Sequence, residues 1–145
     1  MLFIHRDAER DPFQVRCDEV DAAWSRIVLK GEQQAIPIPV IPVRMQEAWF
    51  LFDESAIREA AGNPNGRVTL DLPALKGVES LPDPKHVLYS LLKRASELQG
   101  RRLKKFHESQ AAHRLAEVIL DYSPNLLLTA FQALNERVRE VIARL

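Results

Sequence analysis

Acidic and basic side chains crowd together just beyond a short apolar start, where Leu2-Phe3-Ile4 runs into His5-Arg6-Asp7-Ala8-Glu9-Arg10. Residues two apart on an extended chain point the same way, so Asp7 and Glu9 would present two carboxylates together. Hard oxygen ligands of this kind suit Mg²⁺ or Mn²⁺, which need only one or two protein carboxylates when a substrate phosphate supplies the rest. The same residues, with Arg6 and Arg10 as partners, also make an ordinary solvated, salt-bridged loop. A second group, Arg44-Met45-Gln46-Glu47-Ala48-Trp49, follows a β-branched run. If that run is a strand parallel to the first, Glu47 arrives at the same sheet end as Asp7 and Glu9, with Arg44 beside it to meet a phosphate. Open α/β sheets generally bind their ligands at that end. The alternative is that Glu47 complements a helix N-terminus and Trp49 is core.

Two further groups carry positive charge. In Asp83-Pro84-Lys85 the aspartate caps a helix and the proline presets its first turn, while Lys85 projects a cation where the helix dipole disfavours one. That placement hints at an anionic partner. From Lys93 to His107 there are six basic residues, Lys93, Arg94, Arg101, Arg102, Lys104 and Lys105, against one acid, Glu97. Such a run can track phosphates, with Phe106 as a stacking face, or it can be a solvated loop or docking surface.

Other chemistries lack their residues. The chain has no Gly-x-Ser-x-Gly elbow and no Gly-x-Gly-x-x-Gly, and Gly62 to Gly66 is a turn without the Lys-Ser/Thr of a phosphate loop. His107 and His113 are six apart, on different faces of a helix, so they do not form a zinc pair. Cys17 is the single cysteine, which leaves no intramolecular disulfide and points to a reducing cytoplasm; beside Arg16 it reads as packing or surface rather than a nucleophile. Twenty basic and twenty acidic side chains cancel, so any nucleic-acid binding must be local rather than a global field. Neither Met1 to Ile4 nor the proline-broken stretch Ile36 to Val43 is a membrane span or signal peptide.

The elements that must position these groups follow from periodicity. A chain of 145 residues is one ordinary domain. Strands are expected near 2–5 and 38–43, where Pro37, Pro39 and Pro42 favour the later half of the β-branched run. Between them, Asp18 to Lys30 carries Val20, Ala23, Trp24, Ile27 and Val28 on one stripe, with Gly31 as a stop. Helices are expected over 46–61 with a kink at Asp53 to Ser55, over 83–98 closed by Gly100, and over about 110–121 and 127–145. Strand, helix, strand and then only helices implies an α/β fold with a right-handed parallel crossover and a helical C-terminal half. A lone parallel pair gives little independent stability, so further strands are expected from a preceding segment, from a homo-oligomer or a partner chain, or from strands of this chain beyond these two.

The strand ending in His5-Arg6-Asp7-Ala8-Glu9, the strand leading to Pro42-Val43-Arg44-Met45-Gln46-Glu47-Ala48-Trp49, the Ala60-Ala61-Gly62-Asn63-Pro64 turn and the Asp83-Pro84-Lys85 start resemble an uncharacterised bacterial family of Toprim-like (topoisomerase–primase) proteins. That family is distantly similar to the nuclease domain of overcoming-lysogenization-defect proteins. The resemblance runs from about Phe3 to Ile142. It implies a compact α/β Toprim-like sheet in a single domain over 1–145 and a divalent-metal phosphodiesterase, a nuclease using Mg²⁺ or Mn²⁺ held by Asp7, Glu9 and Glu47. Glu9 stands where the family's second Asp is expected. Lys85 and Arg44 would position phosphate, Arg101, Arg102, Lys104 and Lys105 would guide nucleic acid, and the setting would be phage or mobile-element defence, beside an ATPase. The family's first glutamate has no counterpart, and the resemblance implies a segment of several tens of residues, carrying that acid and one or more strands, before Met1. A noncatalytic interaction module with a degenerate Toprim-like fold is the competing expectation.

Overall fold

A computed structural model describes residues 1–29 and 35–144. Strand β1 (Leu2–His5) is followed by helix α1 (Phe13–Leu29), strand β2 (Pro37–Val40) and a 3₁₀ turn over Gln46–Phe50. Helix α2 (Glu54–Ala60), a 3₁₀ turn over Leu75–Ser80, and helices α3 (Pro84–Ser96), α4 (Gly100–Lys104) and α5 (Glu108–Val118) come next. A 3₁₀ turn over Ser123–Leu127 leads into α6 (Thr129–Ile142). The fold is mixed α/β and mostly helical, with a two-stranded parallel sheet. Among the described residues no helix is long and apolar enough to cross a membrane.

The register pairs Leu2 with Pro37 and His5 with Val40, and it decides where prolines are tolerated. Leu2 donates to the Ile36 carbonyl (2.8 Å) and Arg6 to that of Val40 (3.1 Å), so even-numbered residues of the two strands face each other. Pro37 and Pro39 therefore lack their N–H on the outer side of β2, where no ladder bond is lost. Pro42 is different: it faces β1 and has no donor to offer. The strand accordingly occupies Pro37–Val40 and not 38–43. Single bonds still carry the pairing onward, from Ala8 to Pro42 (3.0 Å) and from Glu9 to Arg44 (3.0 Å).

Helix α1 begins at Phe13, five residues before the expected start at Asp18, because the turn after Pro12 already closes with Val15 donating to the Pro12 carbonyl (3.0 Å). The expected end at Lys30 and the stop at Gly31 lie outside the described residues. Its apolar stripe is only partly covered: Val20 is buried and Trp24 half-buried, while Ala23 and Ile27 are exposed. Val20 forms a small core with Ala8 and Ile41, against which Ile4, Phe13 and Cys17 pack. Burial pushes the Cys17 thiol up, consistent with packing rather than reactivity.

The main core lies in the helical portion. Trp49, Leu51, Ile57, Leu88, Leu92, Leu115 and Leu128 are buried together, and α2, α3 and α5 pack on one another. The kink expected at Asp53 to Ser55 is a full break between the turn ending at Phe50 and α2. Asp53 is extended and its carboxylate accepts from the Ala56 N–H (2.9 Å), so it starts α2 as an N-cap instead of continuing the turn before it. Asp83 caps α3 in the same way, accepting from His86 (2.8 Å), with Pro84 in the first turn. That helix ends at Ser96, before the expected Leu98, because Glu97 turns left-handed (φ 52). Gly100, also left-handed (φ 57), opens α4 within the basic run. Helix α6 buries Ala130 and Val141 while Ile142, an expected core residue, is exposed; the expected terminus at Leu145 lies outside the described residues.

Candidate functional site

Where β1 ends, the chain rises toward the 3₁₀ turn that follows β2, and the two meet through Asp7. The Asp7 Oδ1 accepts from the Gln46 backbone N–H (3.1 Å) and lies 3.2 Å from His5 Nε2. The first contact links residues 39 positions apart in the chain and fixes the carboxylate beside Glu47. The side chains of Asp7 and Glu47 are 33% and 21% exposed, so both remain reachable. Trp49, two residues on, is buried and anchors this turn in the main core.

Asp7 and Glu47 line one cleft of about 420 Å³ with His5, Gln46, Lys85 and His113. Its far wall comes from the first turns of α3, with Lys85 and Tyr89, and from the α5 face carrying Ser109, Ala112, His113 and Ala116. The Lys85 ammonium lies 4.0 Å from Glu47 Oε1 and 5.6 Å from the centre of the Tyr89 ring. These neighbours offset the unfavourable position of a cation in the first turn of a helix. The cleft thus holds two carboxylates, one ammonium and two imidazoles at the carboxyl end of a parallel strand pair.

Glu9 and Arg44 lie elsewhere. They line a separate, broader hollow of about 730 Å³ with Arg10, Asp11, Val43, Glu79 and Ser80. The cause is a local change of backbone hand: Glu9 (φ 56) and Arg44 (φ 64) are both left-handed, which ends the alternation that would have placed Asp7 and Glu9 side by side. Glu9 is drawn toward Arg16 (3.7 Å), whose buried guanidinium also holds Asp11 (2.6 Å) and Glu19 (2.8 Å). The hydrogen bond to Glu19, with the other carboxylates behind it, raises the Arg16 pKa further. Among the described residues no group of three or more His, Cys, Asp or Glu side chains is placed to hold a metal ion. The arrangement brings Asp7, Glu47 and Lys85 together and leaves Glu9 and Arg44 out of that cleft.

The basic run divides as well. Lys93 is paired with Glu108, and Arg94 with Asp71 (2.7 Å). The Lys93 contact holds the Glu108 carboxyl below its ordinary range. Arg101, Arg102, Lys104 and Lys105 are exposed on and just after α4, with no ion pair among the described residues. Phe106 is half-buried and packs on the main core, because the short helix turns it inward; it is not a free stacking face. His113, Tyr89 and Ser109 enter the cleft without a sequence motif to mark them. Their signal was the polar side of the amphipathic helices α3 and α5, which shows only once the two are packed.

No family model, curated protein or solved structure matches the chain.

Proposed function

We propose that the protein is a divalent-metal-dependent phosphodiester hydrolase, a Toprim-like nuclease acting on nucleic acid from the Asp7–Glu47 cleft. The observation that carries this reading is the meeting of Asp7 and Glu47 with Lys85 at the carboxyl ends of two parallel strands. The three-carboxylate set expected from the resemblance does not fit, since Glu9 faces the other hollow. The pair does fit a smaller requirement, because Mg²⁺ or Mn²⁺ is commonly bound by one or two carboxylates and completed by water and substrate phosphate. Asp7 and Glu47 would hold the ion, which when bound supplies an activated water and offsets charge on the phosphoryl oxygens.

The chain's own groups have separable tasks. The Gln46 N–H fixes one oxygen of Asp7, a residue that lines the cleft. When His5 Nε2 carries the proton it donates to the same Asp7 oxygen and holds the carboxylate in place. Lys85, half-exposed and only 4.0 Å from Glu47, can turn from that carboxylate to a phosphate oxygen. Arg101, Arg102, Lys104 and Lys105 would follow the nucleic-acid backbone, and Arg44 would meet phosphate from the neighbouring hollow. A role in phage or mobile-element defence, beside an ATPase, rests on the resemblance alone, and a cytoplasmic setting on the single cysteine.

The test is cleavage of labelled DNA and RNA in Mn²⁺. Asp7→Asn and Glu47→Gln should each abolish cleavage and Lys85→Ala should reduce it by about tenfold or more, the loss of one charge-assisted contact. Cleavage that survives both carboxylate changes would mean that the Asp7–Glu47 cleft is not where hydrolysis occurs, and no cleavage by the unaltered chain would favour the noncatalytic module.

A further inference from the structure

The two edges of the sheet differ. Pro37 and Pro39 face outward from β2 and blunt that edge, and α6 packs against the same strand. On β1 the outward backbone groups belong to Phe3 and His5, and among the described residues no strand pairs with them. The side chains around this edge are apolar and open: Leu2 is 45% and Phe3 55% exposed. Between β1 and α1 runs a groove of about 270 Å³ lined chiefly by Leu2, Ile4, Val20, Ala23, Trp24 and Ile27.

From this edge and groove we infer that a second copy of the chain pairs with the first, β1 running antiparallel to β1 of its partner, to give a continuous four-stranded sheet. The register taken is the one that uses the outward groups of both Phe3 and His5 in each copy. Phe3 of each copy exchanges hydrogen bonds with His5 of the other, and the two Ile4 side chains meet across the two-fold axis as a closely spaced pair. A strand edge of one copy meets the same edge of the other, as a closed two-fold interface requires.

Helix α1 supplies the reason that the occupant is a second copy. Strands spaced about 4.8 Å apart put the centres of the two β1–β2 pairs about 10 Å apart, close to the packing distance of two helices lying over them. The two α1 helices would run antiparallel. Glu19, Ala22, Ala23 and Arg26 share one face at helical spacing and all four are exposed. About a centre between Ala22 and Ala23, Glu19 of one helix, which Arg16 of its own chain also holds (2.8 Å), stands opposite Arg26 of the other, twice over. The small central residues allow close approach, and the charges match only in the antiparallel sense. This inference is independent of the proposed chemistry, so either can fail alone.

Sedimentation equilibrium of the purified chain at micromolar concentration tests it. The unaltered chain should give twice the 16.5 kDa monomer mass. Phe3→Pro removes an N–H that faces away from β2, so the intrachain ladder is kept while the outer edge is blocked; this variant should sediment as a monomer with unchanged far-UV circular dichroism. Arg26→Glu places an acid against Glu19 of the partner and should weaken association by about tenfold, like charges replacing opposite ones. A monomeric parent overturns the inference, and so does a dimer that persists in the folded Phe3→Pro protein. Pairing of β1 with a preceding segment of the same chain or with a different protein would appear as the first of these outcomes.

Discussion

Asn125 is wholly buried, and its Nδ2 donates to the Trp49 carbonyl (2.9 Å) across 76 positions of sequence. It ties the turn that carries Glu47 to the start of the C-terminal helical segment. Asn125→Ala leaves that carbonyl without a donor in an apolar core, which costs about 1–3 kcal/mol, and chemical denaturation should show the loss. Glu97 works at the surface by a different route. Its carboxylate accepts from the backbone N–H groups of Val68 and Arg67, the first at 2.9 Å, and these donors, Val68 foremost, hold its pKa below the ordinary range. The folded value is lower than the unfolded one, so the contribution is full above the unfolded value and is lost as pH falls through the folded value. Glu97→Gln should therefore lower the denaturation midpoint at neutral pH, and the gap to the parent should close in acid. Equal gaps at both pH values would contradict this account. Gly66 sits inside the same knot: a Cβ there would lie 2.5 Å from Asn63 Nδ2 and 2.8 Å from Glu97 Oε1, so a larger residue would displace these side-chain ends.

At the scale of elements, the sequence was most legible where a single residue sets a boundary locally. Asp83-Pro84 starts α3 and Asp53 starts α2 because each carboxylate reaches an N–H only three residues away. Strand β1 was legible for the same reason, as an apolar run cut by charge. The bounds of the second strand are less legible, because the cost of each proline depends on which side of the strand faces a neighbour, and that requires the register. The cap of α6 was invisible. Glu79, 50 residues upstream, accepts from Thr129 Oγ1 (2.8 Å) and from the N–H groups of Thr129 and Ala130 (3.2 Å each), doing from afar what Leu128 at the N-cap position cannot. Glu79→Ala should destabilise the protein by about 1 kcal/mol, with faster hydrogen exchange at Thr129 and Ala130. The left-handed backbone at Arg44 was equally hidden. A non-glycine residue there costs about 1–2 kcal/mol, so Arg44→Gly should raise the urea midpoint; an unchanged or lower midpoint would show that the side chain compensates the strain.

Across the whole molecule, the helical portion holds the large core and the small sheet stands beside it, with one edge covered and, among the described residues, one edge unpaired. The site lies where the two portions meet, built from Asp7 on the sheet side, Glu47 on the turn that leads into the core, and Lys85 and His113 on α3 and α5. That Asp7 and Glu47 would come together followed from parallel strands ending on the same side. That Glu9 and Arg44 would turn away did not, since their left-handed conformations, at two residues joined by a bond from Glu9 N to Arg44 O, have no mark in residue type. The central claim, a shared two-carboxylate site, is tested most directly by calorimetric titration of the purified chain with Mn²⁺ alongside folded Asp7→Asn, Glu47→Gln and Glu9→Gln proteins. The account predicts binding by the unaltered chain and by Glu9→Gln, and loss of that binding in both Asp7→Asn and Glu47→Gln. Absence of binding by the unaltered chain, or binding that depends on Glu9 and not on Glu47, would contradict it.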